Sequence, residues 1–387
     1  MGLISKKAAN ITPSVTLAIN SKAKELARQG HKVISFAVGE PDFPTPTNIC
    51  KAAKRALKEG FTKYTPASGT LELKQAICQY FKKTRNLSYQ PSQIIVTAGG
   101  KQALANAIFC LINPSDEIIL PKPYWVSYYE MIKLAGGKPV ILPTNKKFIL
   151  EPQTLSKKVT PKTKLVILNS PSNPAGAVYR QKELEAIAKI CLKNNLWIIS
   201  DEVYGKIIFD QQKHISIASL NKKVFAKTLV VDAVSKTYSM TGWRLGWLAG
   251  PEKIIAACSA LQSHTTSNPC SITQKAALEA LTGPQNSVQK MVKEFDKRRK
   301  VLFTGLNKIR KIRVNLPQGA FYVFADIHET GMKSEEFCQK LLEKEKVALV
   351  PGTAFGQESF VRISYANSMN NIKEGLKRIK KFLKTNC

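Results

Sequence analysis

Lys236 and Arg244 stand eight residues apart in the stretch Ser235-Lys236-Thr237-Tyr238-Ser239-Met240-Thr241-Gly242-Trp243-Arg244-Leu245-Gly246. A lysine amine can form a Schiff base with an aldehyde, and a guanidinium can take a phosphate in its planar fork. Together they offer two handles for one phosphorylated aldehyde. The same spacing also occurs on solvated surfaces. Here Met240, Trp243, Leu245 and Trp247 surround the pair. That much apolar surface points to an at least partly enclosed lysine, a costly placement that usually serves a task.

Other residues could complete such a site. Gly99-Gly100-Lys101 lies between a strand-like and a helix-like run. Bare backbone N–H groups at a helix start make an anion site, although tight-turn geometry explains a glycine pair equally well. Asp201 closes the apolar run Leu196–Asp201. It can cap the next helix, or pair with a protonated pyridine nitrogen and keep the ring able to accept electrons from a carbanion. Tyr204 and Asn173 could share a ring hydroxyl. Trp125 could stack on a flat heterocycle or serve as a core aromatic. Arg362 sits in an apolar strand pattern, so it needs an anionic partner, either a structural acid or a substrate carboxylate. Gly39 leaves room for a ligand to approach the backbone.

These residues need a scaffold that gathers them. At 387 residues the chain is long for one core, so two domains are expected. Short apolar runs at 93–97, 117–120, 165–169, 196–201 and 228–232 alternate with helical patterns, as buried parallel strands and their crossovers do. The central part therefore reads as an α/β domain with helices on both faces. The candidate residues fall at the C-terminal ends of these runs, where open α/β sheets bind ligands. From about Asn286 the texture becomes α+β. The expected division is an N-terminal arm and part of a small domain at 1–45, a large domain at 46–285, and a small domain at 286–387. Ile34–Val38 reads as a strand that joins the arm to the small domain.

Composition sets limits. Hydrophobic residues make up 44% and aromatics 8%, as in a globular protein with a substantial core. No apolar run approaches the ~20 residues that cross a bilayer. Met1–Asn10 lacks a long apolar signal core, and the eight cysteines are scattered without a Cys-x-x-Cys pair. Both features set the expectation of a cytoplasmic protein with reduced thiols and no metal site. The net charge of +32 suggests a nucleic-acid binder, or a lysine-rich surface on an ordinary fold. The dense runs Lys297–Lys300 and Lys377–Lys384 interleave with apolar residues at helical spacing and read as wet faces of amphipathic helices. The second reading is favoured, with no specific nucleic acid and no membrane as partner.

The chain resembles the fold-type I, pyridoxal-phosphate-dependent class I aminotransferases, and within them the bacterial aspartate aminotransferase subgroup. The likeness runs through Val38-Gly39-Glu40-Pro41-Asp42-Phe43, Lys63-Tyr64-Thr65-Pro66, Gly99-Gly100-Lys101-Gln102, Pro123-Tyr124-Trp125-Val126-Ser127-Tyr128, the 169–176 loop, Ser200-Asp201-Glu202-Val203-Tyr204, the lysine segment, Gly319-Ala320-Phe321-Tyr322 and Arg362-Ile363-Ser364-Tyr365. The resemblance implies a mostly parallel central sheet flanked by helices, a smaller α+β domain, and pyridoxal 5'-phosphate as cofactor. It implies that Lys236 tethers the cofactor and shuttles the proton, with Asp201 on the ring nitrogen. Tyr204 and Asn173 would contact the ring hydroxyl, and Trp125 the ring face. Arg244, Gly100 and Lys101 would hold the phosphate. Tyr64 would reach the phosphate of a neighbouring subunit, which makes the protein a homodimer with sites at the interface. Arg362 would clasp the substrate α-carboxylate near Gly39, Trp125 and Asn173, with Lys101 for a distal carboxylate. The implied reaction moves an amino group between L-aspartate and 2-oxoglutarate.

Three positions depart from the family pattern. Ala233 stands where Gly or Ser is usual, so a serine contact to phosphate is absent. Ala175 replaces the commoner Thr. Thr12 stands where members that also accept prephenate carry Lys, so prephenate is not expected as a substrate. Other readings are an aromatic or alanine aminotransferase, or a carbon–sulfur lyase, of the same fold. More remote is a cofactor-sensing, nucleic-acid-binding module. The residues that meet the substrate side chain discriminate the enzymes.

Overall fold

The computed structural model describes residues 3–5, 9, 11–13 and 15–386. Cys387 and part of Met1–Asn10 lie outside the described residues. In chain order the strands are β1 (Ile34–Ser35), β2 (Ile94–Thr97), β3 (Glu117–Lys122), β4 (Lys138–Pro143), β5 (Thr163–Asn169), β6 (Trp197–Asp201), β7 (Thr228–Ala233), β8 (Gly246–Ala249), β9 (Arg313–Val314), β10 (Tyr322–Asp326), β11 (Val347–Ala348), β12 (Val350–Pro351) and β13 (Phe360–Ser364).

Seven strands form the main sheet in the order β2-β8-β7-β6-β5-β3-β4. All its pairings are parallel except the two that β8 makes, with β2 and with β7. The reason is legible in β5. Leu165 and Ile167 pack in one cluster with Leu104, Ile108 and Tyr128, whereas Val166 and Leu168 pack in another with Leu184, Ile187 and Cys191. A strand whose successive side chains both meet helices must be apolar throughout. Each such side chain contributes roughly 1.5–3 kcal/mol by leaving water.

A smaller antiparallel sheet, β12-β13-β10-β9, lies in the C-terminal part. The helices Asn286–Asn307, Ser334–Glu345 and Met369–Asn386 share its core through Phe295, Leu302, Phe337, Leu341, Ile379 and Phe382. The N-terminal strand is shorter than Ile34–Val38. Only Ile34 and Ser35 pair, in parallel with Val347 and Ala348 of β11. Beyond them the chain leaves the ladder because its next polar groups have other partners. Phe36 O accepts from Ser364 N at 3.0 Å, and Ala37 O accepts from Arg362 at 2.7 Å.

The run Lys297–Lys300 is not a uniformly wet face. Lys297 and Lys300 are exposed, but Arg298 and Arg299 are buried. Arg298 pairs with Asp42 and Glu294. Arg299 makes two bonds to Asp210, at 2.7 and 2.8 Å, and lies over the Phe209 ring. A guanidinium can be buried when its single charge is matched by anionic partners and its flat face meets an aromatic ring. In the run Lys377–Lys384 the expectation holds, since Lys377, Lys380, Lys381 and Lys384 are exposed and Ile379, Phe382 and Leu383 are buried. Among the described residues no helix is long and apolar enough to cross a membrane.

β8 is also what brings two of the strand ends together. Gly246 pairs with Thr97 on one side and Ala233 on the other. A Cβ there would meet the Gly100 nitrogen at 2.5 Å and the Gly99 carbonyl carbon at 2.7 Å. These are backbone atoms that cannot rotate away. Gly246→Ala is therefore expected to destabilise the protein by about 1–3 kcal/mol, seen as a lower urea midpoint with an unchanged slope.

Candidate active site

The ends of β2, β5, β6 and β7 open on one cavity of about 410 Å³, which residues of the smaller sheet close from the other side. It is lined by Lys236, Asp201, Tyr204, Asn173, Arg244, Arg362, Gly39, Gly100, Lys101 and Trp125. Of the residues to which the resemblance assigns a place in the site, Tyr64 alone among the described residues stands outside the lining, 91% exposed.

Lys236 follows β7 in the short helical turn Val234–Thr237. Its Nζ donates to the Gly39 carbonyl at 2.6 Å. Desolvation draws its pKa down to about 8, with Arg362 and Arg244 pushing the same way and Glu40 and Asp201 opposing. The result is an amine that loses its proton far more easily than an exposed lysine.

Asp201 ends β6, 3% exposed. Burial pushes its pKa up to about 6. A hydrogen bond from the Tyr128 hydroxyl at 2.5 Å and one from Val203 N at 3.3 Å hold it down. The 169–176 loop is tied to the same strand end. Asn169 Nδ2 donates to Asp201 O at 3.0 Å, and Asn169 Oδ1 accepts from Asn173 N at 2.8 Å.

Arg362 projects from β13 across the cavity. Its guanidinium donates to Asn173 Oδ1 at 3.0 Å and to Ala37 O at 2.7 Å, and it lies 4.6 Å from the Tyr322 ring centroid. Both bonded oxygens are neutral, and Nε is buried without a partner. A buried cation bonded only to neutral oxygens lacks a counter-charge among its hydrogen-bond partners, which an anionic ligand would supply. Tyr322 also bonds the Tyr204 hydroxyl at 2.8 Å.

Opposite, Gly99 takes φ +85° and starts the helix Gly100–Leu111. Arg244 lies so close that a Cβ on Gly99 would meet its guanidinium nitrogen at 2.5 Å. A helix N-terminus and a guanidinium thus face one small space. Lys101 Nζ stands 5.0 Å from the Trp125 ring centroid. Desolvation and the charge of Arg244 hold its amine below the usual lysine range.

A model of the family "aminotransferase class I and II" matches residues 31–379. The chain belongs to that family. It is 46% identical, over 99% of both chains, to an aspartate aminotransferase of Bacillus sp. (strain YM-2). Among solved structures it is similar to the aspartate aminotransferase of Thermus thermophilus with maleate, at a TM-score of 0.94 and 38% identity, covering 99% of this chain and 100% of that one. It is also similar to an aromatic aminotransferase of Pyrococcus horikoshii OT3, at a TM-score of 0.90 and 41% identity over 94% of this chain and 98% of that one.

Sequence reasoning gave no role to Tyr128 or Tyr322. Each stands in a quoted motif, but no local spacing announces that Tyr128 reaches β6, 73 residues on. Glu40 is a further acid in the lining, and it accepts from Thr241 Oγ1 at 2.7 Å. The Tyr128 bond makes a prediction. Tyr128→Phe removes a donor that favours the Asp201 carboxylate, so the acid limb of the kcat/KM profile should move to higher pH, by about one unit.

Proposed function

We propose that the protein is a pyridoxal 5'-phosphate-dependent aspartate aminotransferase that exchanges an amino group between L-aspartate and 2-oxoglutarate. One observation carries the reading. A desolvated lysine amine, a buried carboxylate and a buried guanidinium with a spare donor line one cavity, and a second lysine stands at its mouth. The lining also fits the cofactor. Gly99 and Arg244 form a cradle that a Cβ on Gly99 would fill, beside the helix start at Gly100. When bound, the cofactor supplies an aldehyde for an amine and a cationic ring that takes up the electron pair left when a substrate Cα loses its proton.

The residues divide the work. Arg244 and the helix start at Gly100 and Lys101 would hold the phosphate. Asp201 would sit against the ring nitrogen, ionised above a pH of about 6. Trp125 would cover the ring, and Asn173 and Tyr204 would meet its hydroxyl. Arg362 would clasp the α-carboxylate beside Gly39, Trp125 and Asn173, fixing Cα near Lys236. Nζ of Lys236 would take the proton from the substrate Cα and pass it to C4′ of the cofactor within one half-reaction, and would carry it the opposite way in the other, which requires the free amine. Lys101 would meet the distal carboxylate of a dicarboxylic substrate.

We further propose a homodimer, in which Tyr64 completes the neighbouring site. Its near-complete exposure, with Leu57 and Leu71 exposed nearby in sequence, supports an interface there. The division into an arm at 1–45, a large domain at 46–285 and a small domain at 286–387 is proposed with it. The described cysteines are free, which suits the cytoplasm.

Lys236→Ala is expected to lower turnover of aspartate with 2-oxoglutarate by about four orders of magnitude and to abolish covalent capture of pyridoxal phosphate by mass spectrometry. Turnover near the parent rate would refute the reading. Lys101→Leu is expected to raise KM for aspartate by about 10–100-fold and leave that for alanine unchanged, since only the dicarboxylate loses a charge-assisted bond. The likeness to an aromatic aminotransferase favours one alternative, an aromatic substrate. Half-reaction rates with aspartate, phenylalanine, alanine and prephenate decide between them.

A further inference from the structure

Behind the cavity lies a buried charge network that the reaction residues do not include. Arg85 ends the helix Leu71–Arg85 and turns its side chain inward. Its Nε donates to Glu202 at 2.6 Å, one terminal nitrogen donates to Asp232 at 2.6 Å, and the other to Thr84 Oγ1 at 3.1 Å. The three charged side chains are at most 2% exposed. Glu202 also accepts from Ser200 at 2.9 Å and Ser216 at 2.6 Å, and it meets His214 Nε2 at 2.7 Å. Asp232 accepts from Tyr80 at 3.2 Å and from Ala233 N at 2.7 Å.

The position of this network is what gives it a consequence. Glu202 is the residue after Asp201. The register Asp201↔Val231 puts Asp232 one step past the strand neighbour of Asp201, and four residues before Lys236. Three carboxylates are therefore buried at the ends of two adjacent strands. Both Glu202 and Asp232 disfavour the charge on Asp201. Like charges in a dry site are relieved by a proton unless a cation compensates them. Arg85 touches two of the three acids.

We propose that Arg85 is a positioning residue for the reaction: its guanidinium compensates Glu202 and Asp232 together, and so lets Asp201 carry its charge at neutral pH. The inference rests on the reading that Asp201 meets the cofactor's ring nitrogen. The other groups that face these side chains are known. Asp201 is faced by Tyr128, Tyr204 and Lys236. Arg85 is faced by Tyr80, Tyr89, Lys206 and Tyr238. Neither lysine bonds Glu202 or Asp232, so Arg85 alone links the pair.

The test compares two ligands on the full-length protein stripped of cofactor: pyridoxal phosphate, and its analogue with CH in place of the ring nitrogen. Only the first can use an ionised Asp201. The parent protein should prefer pyridoxal phosphate above a pH of about 6 and lose that preference below it. Arg85→Met should move the loss upward by about one pH unit, so that the ratio of the two affinities at pH 7 falls about tenfold. Arg85→Lys should restore part of it. Asp232→Asn, with Arg85 retained, should move the loss downward. A merely structural role predicts that both ligands weaken alike and that both variants shift the same way, and either result overturns the inference. If Arg85→Met does not fold, Asp232→Asn and the double variant Arg85→Met/Asp232→Asn, which should return towards the parent ratio, carry the test. A parent protein with no preference at pH 8 would instead overturn the assignment of Asp201.

Discussion

A carboxylate buried at the end of β6, Asp201 at 3% exposure, sets the constraint around which the polar groups of the cavity are arranged. An isolated carboxylate at that depth would take up a proton rather than remain charged. Here two hydrogen bonds favour the charge, from Tyr128 and from the Val203 backbone. Two more acids lie buried beside it, and they are balanced in turn by Arg85, His214 and hydroxyl donors. The apolar helices that exclude water around β6 create the problem, and the polar groups on the same elements offset it. A buried network of this kind is costly unless every member is satisfied.

The same logic extends to the two cations that face the acid. Lys236 is drawn towards its neutral form by desolvation, which suits the proton-transfer role proposed for it. Arg362 stays charged but is bonded to neutral oxygens, with Nε unpartnered. One side chain comes from the parallel sheet and the other from the small antiparallel sheet. Arg362–Asn173 therefore links the small sheet to a loop of the main one, and Lys236–Gly39 and Arg362–Ala37 tie both sides of the cavity to the segment that follows β1. On the proposed roles, recognition of a substrate carboxylate and placement of the proton-transfer group would be coupled through these contacts.

Much of this was legible in the chain. The continuous buried run Leu165–Leu168 of β5 and the apolar centre Leu229–Val231 of β7 follow from their sequences, as does the gathering of polar residues at strand ends. Asp201 closes an apolar run, and Gly100, Asn173 and Lys236 each follow one within five residues, which marks them without any knowledge of the fold. Other features were hidden. Nothing local tells that Arg298 and Arg299 are buried while Lys297 and Lys300 are not, because helix phase fixes the buried face only when the packing partners are known. Nor does the pattern Ile34–Val38 reveal that pairing stops at Ser35, since the bonds made by Phe36 and Ala37 come from residues more than 300 positions away.

By itself the sequence determined several strands of the main sheet, their apolar character and the chemistry of residues that line the cavity, among them Lys236, Asp201 and Arg362. Those properties depend on short-range periodicity and on side-chain chemistry, which the chain states directly. The tertiary structure decided which charges meet. Tyr128 with Asp201, Arg85 with Glu202 and Asp232, and Arg362 with Asn173 are pairs far apart in the chain, formed only once strand order and helix packing are set. Protonation follows from that distant geometry and from the exclusion of water, because an ionisable group responds to the charges and dielectric around it rather than to its neighbours along the backbone.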